Sequence, residues 1–218
     1  MEQDLLAKIS ELTETGKVDN KINKGSDGVD ELTKQALNEG VEPEKVLDAL
    51  VLGMSIVGEK FAQGKAFVPN MLLAAKAMNA GMAHLKPFFS SGQVKRKGSL
   101  VIGTVFGDLH DIGKNLVAMM VEGSGWEVID LGVDVKPEKF ISAVEQHPGC
   151  VVGISALLTT TMNNMETVVK AVRGKYPETR FIIGGAPVNQ DFADKIGADA
   201  YAPNPKGAVD KLNWIVSS

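Results

Sequence analysis

Residues 99–122 read SLVIGTVFGDLHDIGKNLVAMMVE, and within them the character of the chain changes. Leu100–Val105 is a short apolar run with the length of a buried strand, and a helical stretch runs from about Gly113 to Glu122. Between them lies a polar loop bracketed by glycines. A strand, such a loop and a helix together open a βαβ unit. The same grammar continues downstream. Apolar runs at Val128–Leu131, Cys150–Ser155, Phe181–Ile183 and Ala198–Tyr201 alternate with helical stretches at Pro137–Gln146, Met162–Arg173, Gln190–Ile196 and Lys206–Ile215. Short continuous apolar strands separated by helices mean a parallel sheet covered on both faces. Five strands and five helices predict a flavodoxin-like, Rossmann-like doubly wound five-stranded sheet over residues 99–218.

Upstream the period is helical throughout. Leu5, Ile9 and Leu12 mark a first amphipathic segment that ends at Thr15-Gly16, followed by a looser stretch from Val18 to Gly25. Ser26 is expected to cap a second helix carrying Val29, Leu32, Ala36 and Leu37 and stopped by Gly40. Pro43 suits the first turn of a third, with Leu47, Leu50, Met54, Val57 and Phe61 on one side and Gly64 at its end. A fourth begins near Pro69 and carries Met71, Ala75, Met78, Met82 and Leu85. Four striped helices on short loops predict an antiparallel four-helix bundle over residues 1–89. The polar, basic segment 90–98, apolar only at Val94, reads as a linker to the α/β domain.

Composition excludes several classes. Hydrophobic residues make up 44% and charged residues 23%, an ordinary globular balance. One cysteine excludes a disulfide scaffold, a Cys-rich zinc module and a cysteine-ligated cluster. A net charge of −4 and an aromatic content of 6% argue against nucleic-acid binding. No apolar run reaches bilayer length and the first residues are acidic, so the expectation is a cytoplasmic chain with no membrane partner.

In an open α/β sheet, ligands bind beyond the carboxyl ends of the strands. After the first strand stand Gly107, Asp108, Leu109, His110, Asp111, Ile112 and Gly113. An aspartate two residues before a histidine can hold one ring nitrogen and leave the other outward and more basic, which suits a metal ligand. After the third strand Ser155 is followed by Leu157 and by hydroxyls at 159–161; after the fourth come Gly184 and Gly185; the fifth runs into Ala202-Pro203-Asn204-Pro205. Each feature has an ordinary alternative: the Asp-x-His pair a helix cap, the hydroxyls caps, the glycines a turn. Coincidence on one sheet edge favours a site. His84 and His147 lack neighbouring ligands, and Cys150 opens a buried strand, so all three read as structural. A metal hydrolase using Asp108, His110 and Asp111 would need a second ligand cluster.

The pattern Asp108-x-His110-x-x-Gly113, with Ser155-x-Leu157 and Gly184-Gly185, resembles the signature of domains that bind cobalamin base-off with histidine on cobalt. The longer Gly-Asp-x-His-Asp-Ile-Gly-Lys-Asn form resembles the methyltransferase branch. Val57-Gly58-Glu59-Lys60-Phe61, Gly64-Lys65 and Phe67-Val68-Pro69 are similar to the helical cap of cobalamin-dependent methionine synthase and of corrinoid proteins in methyltransferase systems. The resemblance implies His110 as the lower axial ligand, Asp108 hydrogen-bonded to it, and Thr161 extending the relay where methionine synthase has serine. It places Ser155, Leu157 and Thr159 in the slot for the nucleotide tail, lets the tail pass Gly184 and Gly185 toward Tyr201, Ala202 and Asn204, and sets Phe61 and Val68 over the corrin. Methionine synthase has leucine at the Val68 position, so a smaller lid is implied.

The resemblance further implies a corrinoid methyl carrier with no catalytic residue of its own. It would accept a methyl group on cobalt(I) from a donor-specific methyltransferase. It would then pass the group from methyl-cobalt(III) to tetrahydrofolate or a thiol coenzyme on an acceptor methyltransferase. Methanol, methylamines and methoxylated aromatics are the expected donors, and a reductive activator of the corrinoid is a third expected partner. The linker would serve as a hinge for the lid. The rivals are a cobalamin-binding sensor, for which no DNA-binding module is in evidence, and a mutase subunit, which normally lacks this cap.

Overall fold

The computed structural model describes residues 2–21 and 26–217. The chain divides into two compact units, Met1–Arg96 with Gly123–Gly125, and Lys97–Glu122 with Trp126–Ser218. No helix among the described residues is long and apolar enough to cross a membrane.

The first unit is built from α1 (Glu2–Thr15), α2 (Val29–Asn38), α3 (Pro43–Ala62) and α4 (Val68–Ser90). Their apolar stripes meet in a core of Ile9, Val29, Val46, Leu50, Met54, Met71, Met78 and Leu85, all essentially inaccessible. The methionine stripe is therefore largely packing material. Pro43 and Pro69 stand in the first turns of α3 and α4, where their missing N–H is not needed. The cap of α2 differs from expectation. The helix starts at Val29, Ser26 is held by the Lys17 ammonium, and Glu31 reaches back to accept from Gly28 N at 2.9 Å and Asn20 N at 3.2 Å. Residues 22–25, the end of the looser stretch, lie outside the described residues.

The crossing of α1 and α3 depends on Gly53. A Cβ there would stand 2.4 Å from Ser10 O and 2.7 Å from Thr13 Cβ. Alanine gains up to about 1 kcal/mol of helix propensity over glycine, but overpacking a rigid contact costs about 1–3 kcal/mol. Gly53→Ala is thus expected to lower the urea midpoint of the protein followed by far-UV circular dichroism. A midpoint at or above the parent's would contradict this close approach.

The second unit alternates β1 (Ser99–Thr104), α5 (Ile112–Glu122), β2 (Glu127–Asp130), α6 (Pro137–Gln146), β3 (Val151–Ser155), α7 (Thr159–Met162), α8 (Asn164–Arg173), β4 (Arg180–Gly184), α9 (Gln190–Ile196), β5 (Ala200–Tyr201) and α10 (Pro205–Ser217). All strand pairs are parallel and the order is β2-β1-β3-β4-β5, the flavodoxin arrangement. Val101, Val152, Ile154, Phe181 and Ile183 supply the sheet's share of a core completed by Phe140, Met165, Val169 and Phe192. Cys150 is buried in this core, and desolvation pushes its thiol up to about 11, so it behaves as a small apolar side chain.

Two boundaries moved for identifiable reasons. The helix expected from Met162 to Arg173 begins at Asn164 as α8, because a separate single turn, α7, ends at Met162 and the two meet at Asn163. The last strand is shorter than its apolar run because the Asp199 carboxylate takes Phe181 N at 2.7 Å, and Arg173 and Arg180 both pair with it.

Candidate functional site

Strand order places the chain reversal between β1 and β3, the point at which open α/β sheets leave a crevice for ligands. Asp108 spans that point. It follows β1, is completely buried, and accepts hydrogen bonds from residues that follow β3: Leu157 N at 2.8 Å, Leu158 N at 3.3 Å and Thr161 Oγ1 at 2.7 Å, all on Oδ2. Its Oδ1 takes His110 N at 3.1 Å and lies 2.7 Å from His110 Nδ1. Burial by itself would raise the Asp108 carboxyl. The hydrogen bonds from Thr161, Leu157 and His110 outweigh burial and hold it well below the usual carboxylate range. The group is an ionised acceptor at any moderate pH.

An ionised acceptor on Nδ1 makes that nitrogen the protonated one, so Nε2 carries the free lone pair. The His110 side chain is 51% exposed, and no described residue bonds its Nε2. Around it Phe106, Leu109, Ile112, Leu157 and Leu158 are 41–72% exposed. Five large apolar side chains are thus uncovered on the loops that carry this nitrogen and the donors to Asp108, an exposed apolar patch of the kind that marks binding surfaces.

The other end of the crevice is shaped by glycine. Gly185 has φ +131, and a Cβ on it would fall 1.8 Å from Ala156 O; a Cβ on Gly184 would stand 3.1 Å from Ala202 O. The loops after β3, β4 and β5 therefore pack at backbone distance, which only glycine at 185 allows. Ser155 ends β3, where it pairs in register with Thr104 and Gly184. Thr159 opens α7, exposed. Tyr201 is half-buried at the end of β5, Ala202 is buried, and the Asn204 side chain accepts from Gly207 N at 2.8 Å to cap α10. Phe61 and Val68 belong to the helical unit, half-buried on α3 and at the start of α4.

Lys114 and Asn115, which end the motif, brace the loop from behind. Lys114 is buried, with Nζ 2.5 Å from Asp130 Oδ2 and 2.7 Å from Asn115 Oδ1. Asn115 in turn donates to Asp111 Oδ2 at 3.0 Å. This ion pair, buried at the lysine and open to solvent at Asp130, together with its hydrogen bonds fixes the first turn of α5 behind His110. His84 bonds Asp30 Oδ1 at 2.7 Å, and His147 terminates α6. Three contacts were not foreseen: Thr104 Oγ1 donates to His110 O at 3.0 Å, Asn164 Nδ2 to Phe106 O at 2.7 Å, and Gly107 N to Asp134 Oδ1 at 2.7 Å. Position was the available signal, since Asp134 lies beyond the carboxyl end of β2 just as the other site residues lie beyond theirs.

Comparison with known proteins identifies the relatives of this chain. A B12 binding domain model matches residues 98–210, and a second B12 binding domain model matches residues 25–86. The trimethylamine corrinoid protein of Methanosarcina barkeri is 41% identical over 188 residues, covering 84% of this chain and 87% of that protein. The structure superposes on a cobalamin-binding protein from Desulfitobacterium hafniense with a TM-score of 0.75 at 31% identity, covering 98% of each chain. It superposes on a chain of the methanol:cobalamin methyltransferase complex of Methanosarcina barkeri with a TM-score of 0.83 at 30% identity, covering 99% of this chain and 80% of that one. The chain therefore belongs to the family of B12-binding corrinoid proteins.

Proposed function

We propose that this protein binds cobalamin base-off with His110 Nε2 as the lower axial ligand to cobalt, and that it carries methyl groups between two methyltransferases. The observation that carries the reading is the Thr161–Asp108–His110 string at the β1/β3 crevice, which presents a single basic nitrogen amid exposed apolar side chains. Among the described residues no three His, Cys, Asp or Glu side chains gather around a cation position. A lone imidazole suits a metal that arrives with its other positions already filled, as a corrin-bound cobalt does.

Bound cobalamin supplies the methyl-transfer chemistry at cobalt. The protein's own residues bind and orient. Asp108 fixes the ring and its tautomer, and Thr161 with the Leu157 amide keeps Asp108 ionised. Gly107, Leu109, Asp111, Ile112 and Gly113, the neighbours of Asp108 and His110 in that loop, would hold the corrin. Ser155, Leu157, Thr159, Gly184 and Gly185 form the slot for the nucleotide tail, with Tyr201, Ala202 and Asn204 at its far end.

The relatives' names favour a methylated amine or methanol as donor. A donor-specific methyltransferase, an acceptor methyltransferase serving tetrahydrofolate or a thiol coenzyme, and a reductive activator are the proposed partners.

Reconstitution tests the reading. The purified protein is expected to retain hydroxocobalamin stoichiometrically through gel filtration, with a base-off, His-on visible spectrum. After reduction to paramagnetic cobalt, the resonance spectrum should carry splitting from one axial nitrogen. His110→Ala should abolish that splitting. Failure of the parent to retain cobalamin overturns the function, and unchanged splitting in the variant overturns the ligand assignment.

A further inference from the structure

The loop after β2 reaches the His110 loop by a route independent of the motif. Beyond the last ladder pair of β1 and β2 the two backbones stay bonded: Leu131 N to Ile102 O at 2.8 Å, Thr104 N to Gly132 O at 3.0 Å, and Val135 N to Thr104 O at 2.9 Å. Val105 and Val135 form a further parallel bridge, and both are buried. Asp134 is thus held one residue before a fixed anchor. There it adopts φ +53, alone among the described non-glycine residues in having positive φ. That conformation is unfavourable for a side-chain-bearing residue, though asparagine and aspartate tolerate it best. An outlier held in place by its surroundings warrants a search for what it does.

It bonds two consecutive residues of the loop that carries His110. The Asp134 carboxylate accepts from Gly107 N at 2.7 Å, and Asp134 N donates to Asp108 O at 3.0 Å. Gly107 is itself left-handed, at φ +82. We propose that Asp134 is a positioning residue for His110. By holding the Gly107 amide and the carbonyl of Asp108 itself, Asp134 fixes the direction in which the Asp108 side chain leaves the backbone. The Asp108 carboxylate is thereby delivered between Leu157, Thr161 and His110, and it sets the ring in turn. The inference rests on the reading of His110 as the ligand to cobalamin.

Two variants separate the hydrogen bond from the backbone conformation. D134N keeps an oxygen acceptor and tolerance of positive φ, whereas D134G keeps the tolerance and loses the acceptor. In the protein without cobalamin, amide hydrogen exchange at Gly107 is expected to accelerate roughly tenfold or more in D134G and to stay near the parent rate in D134N. With hydroxocobalamin, D134G should show a smaller His-on fraction and roughly tenfold weaker retention, and D134N should recover both. A parent-like His-on fraction in D134G overturns the proposal even if Gly107 exchanges faster, because the tie would then be merely structural. D134N as impaired as D134G overturns it as well. Absence of a His-on form in the parent overturns the ligand reading itself, and the exchange rates distinguish that result from a failure of the Asp134 tie.

Discussion

Gly185→Ala is expected to destabilise the α/β unit by roughly 3–5 kcal/mol, the combined cost of a backbone clash and a disallowed conformation. The added Cβ would lie 1.8 Å from Ala156 O and 2.9 Å from Ala156 C, and neither atom is the end of a flexible side chain. Ala156 cannot withdraw freely, because it is buried and its N–H bonds Gly184 O at 3.3 Å. The natural control is Gly149→Ala, at φ +80 with open space around the new methyl. That variant should cost only the left-handed term, about 1–2 kcal/mol. Both tryptophans, Trp126 and Trp214, lie in the α/β unit, so urea denaturation followed by tryptophan emission reports on it selectively. Equal midpoints for the two variants would refute the close approach of the β3 and β4 loops. Because that approach shapes the proposed tail slot, Gly185→Ala should also fail to retain hydroxocobalamin under conditions where Gly149→Ala succeeds.

What could be read from the chain alone follows the range of the interactions involved. Apolar periodicity is local, and it located the four helices and the five strands to within a few residues. Asp108 and His110 are two residues apart, so their pairing needs only a turn. Thr161 stands 53 residues from Asp108, and its place in the relay came from family resemblance rather than from spacing. Such contacts depend on which strands become neighbours, and β1 lies between β2 and β3 only once the sheet is assembled. Asp134 and Asn164 escaped notice for the same reason, since each reaches the His110 loop from another crossover. Local failures had local competitors. Ser26 lost the α2 cap to Glu31, whose longer side chain reaches two backbone amides, and the start of β5 gave way to the Asp199 carboxylate. Lys114 would pass for a surface residue of α5, yet it is buried because Asp130 supplies its counter-charge across the β1–β2 edge.

Removing the Asp108 carboxylate should have a comparable effect, with a pH signature of its own. Asp108→Ala leaves the Leu157 amide, the Thr161 hydroxyl and His110 Nδ1 without their shared acceptor, at a cost on the order of 3 kcal/mol or more. Asp108→Asn retains one oxygen but turns an NH2 toward donors, so it should recover little. Thr161→Val removes one of the donors and is expected to cost about 1.5–3 kcal/mol, while Thr161→Ser should stay near the parent. The folded-state pKa of Asp108 is lowered, so in the unfolded chain the group binds its proton more readily than in the native state. Its contribution is therefore complete above the unfolded value near 4 and is lost as the pH falls from there through the folded value. Urea midpoints of the cobalamin-free protein, read by tryptophan emission, should differ most between parent and Asp108→Asn at neutral pH. The gap should hold constant down to about pH 5 and narrow progressively below about pH 4. A gap that widens toward acid would mean that Asp108 is held protonated in the native protein. His110 would then lack the fixed negative partner that directs Nε2 outward.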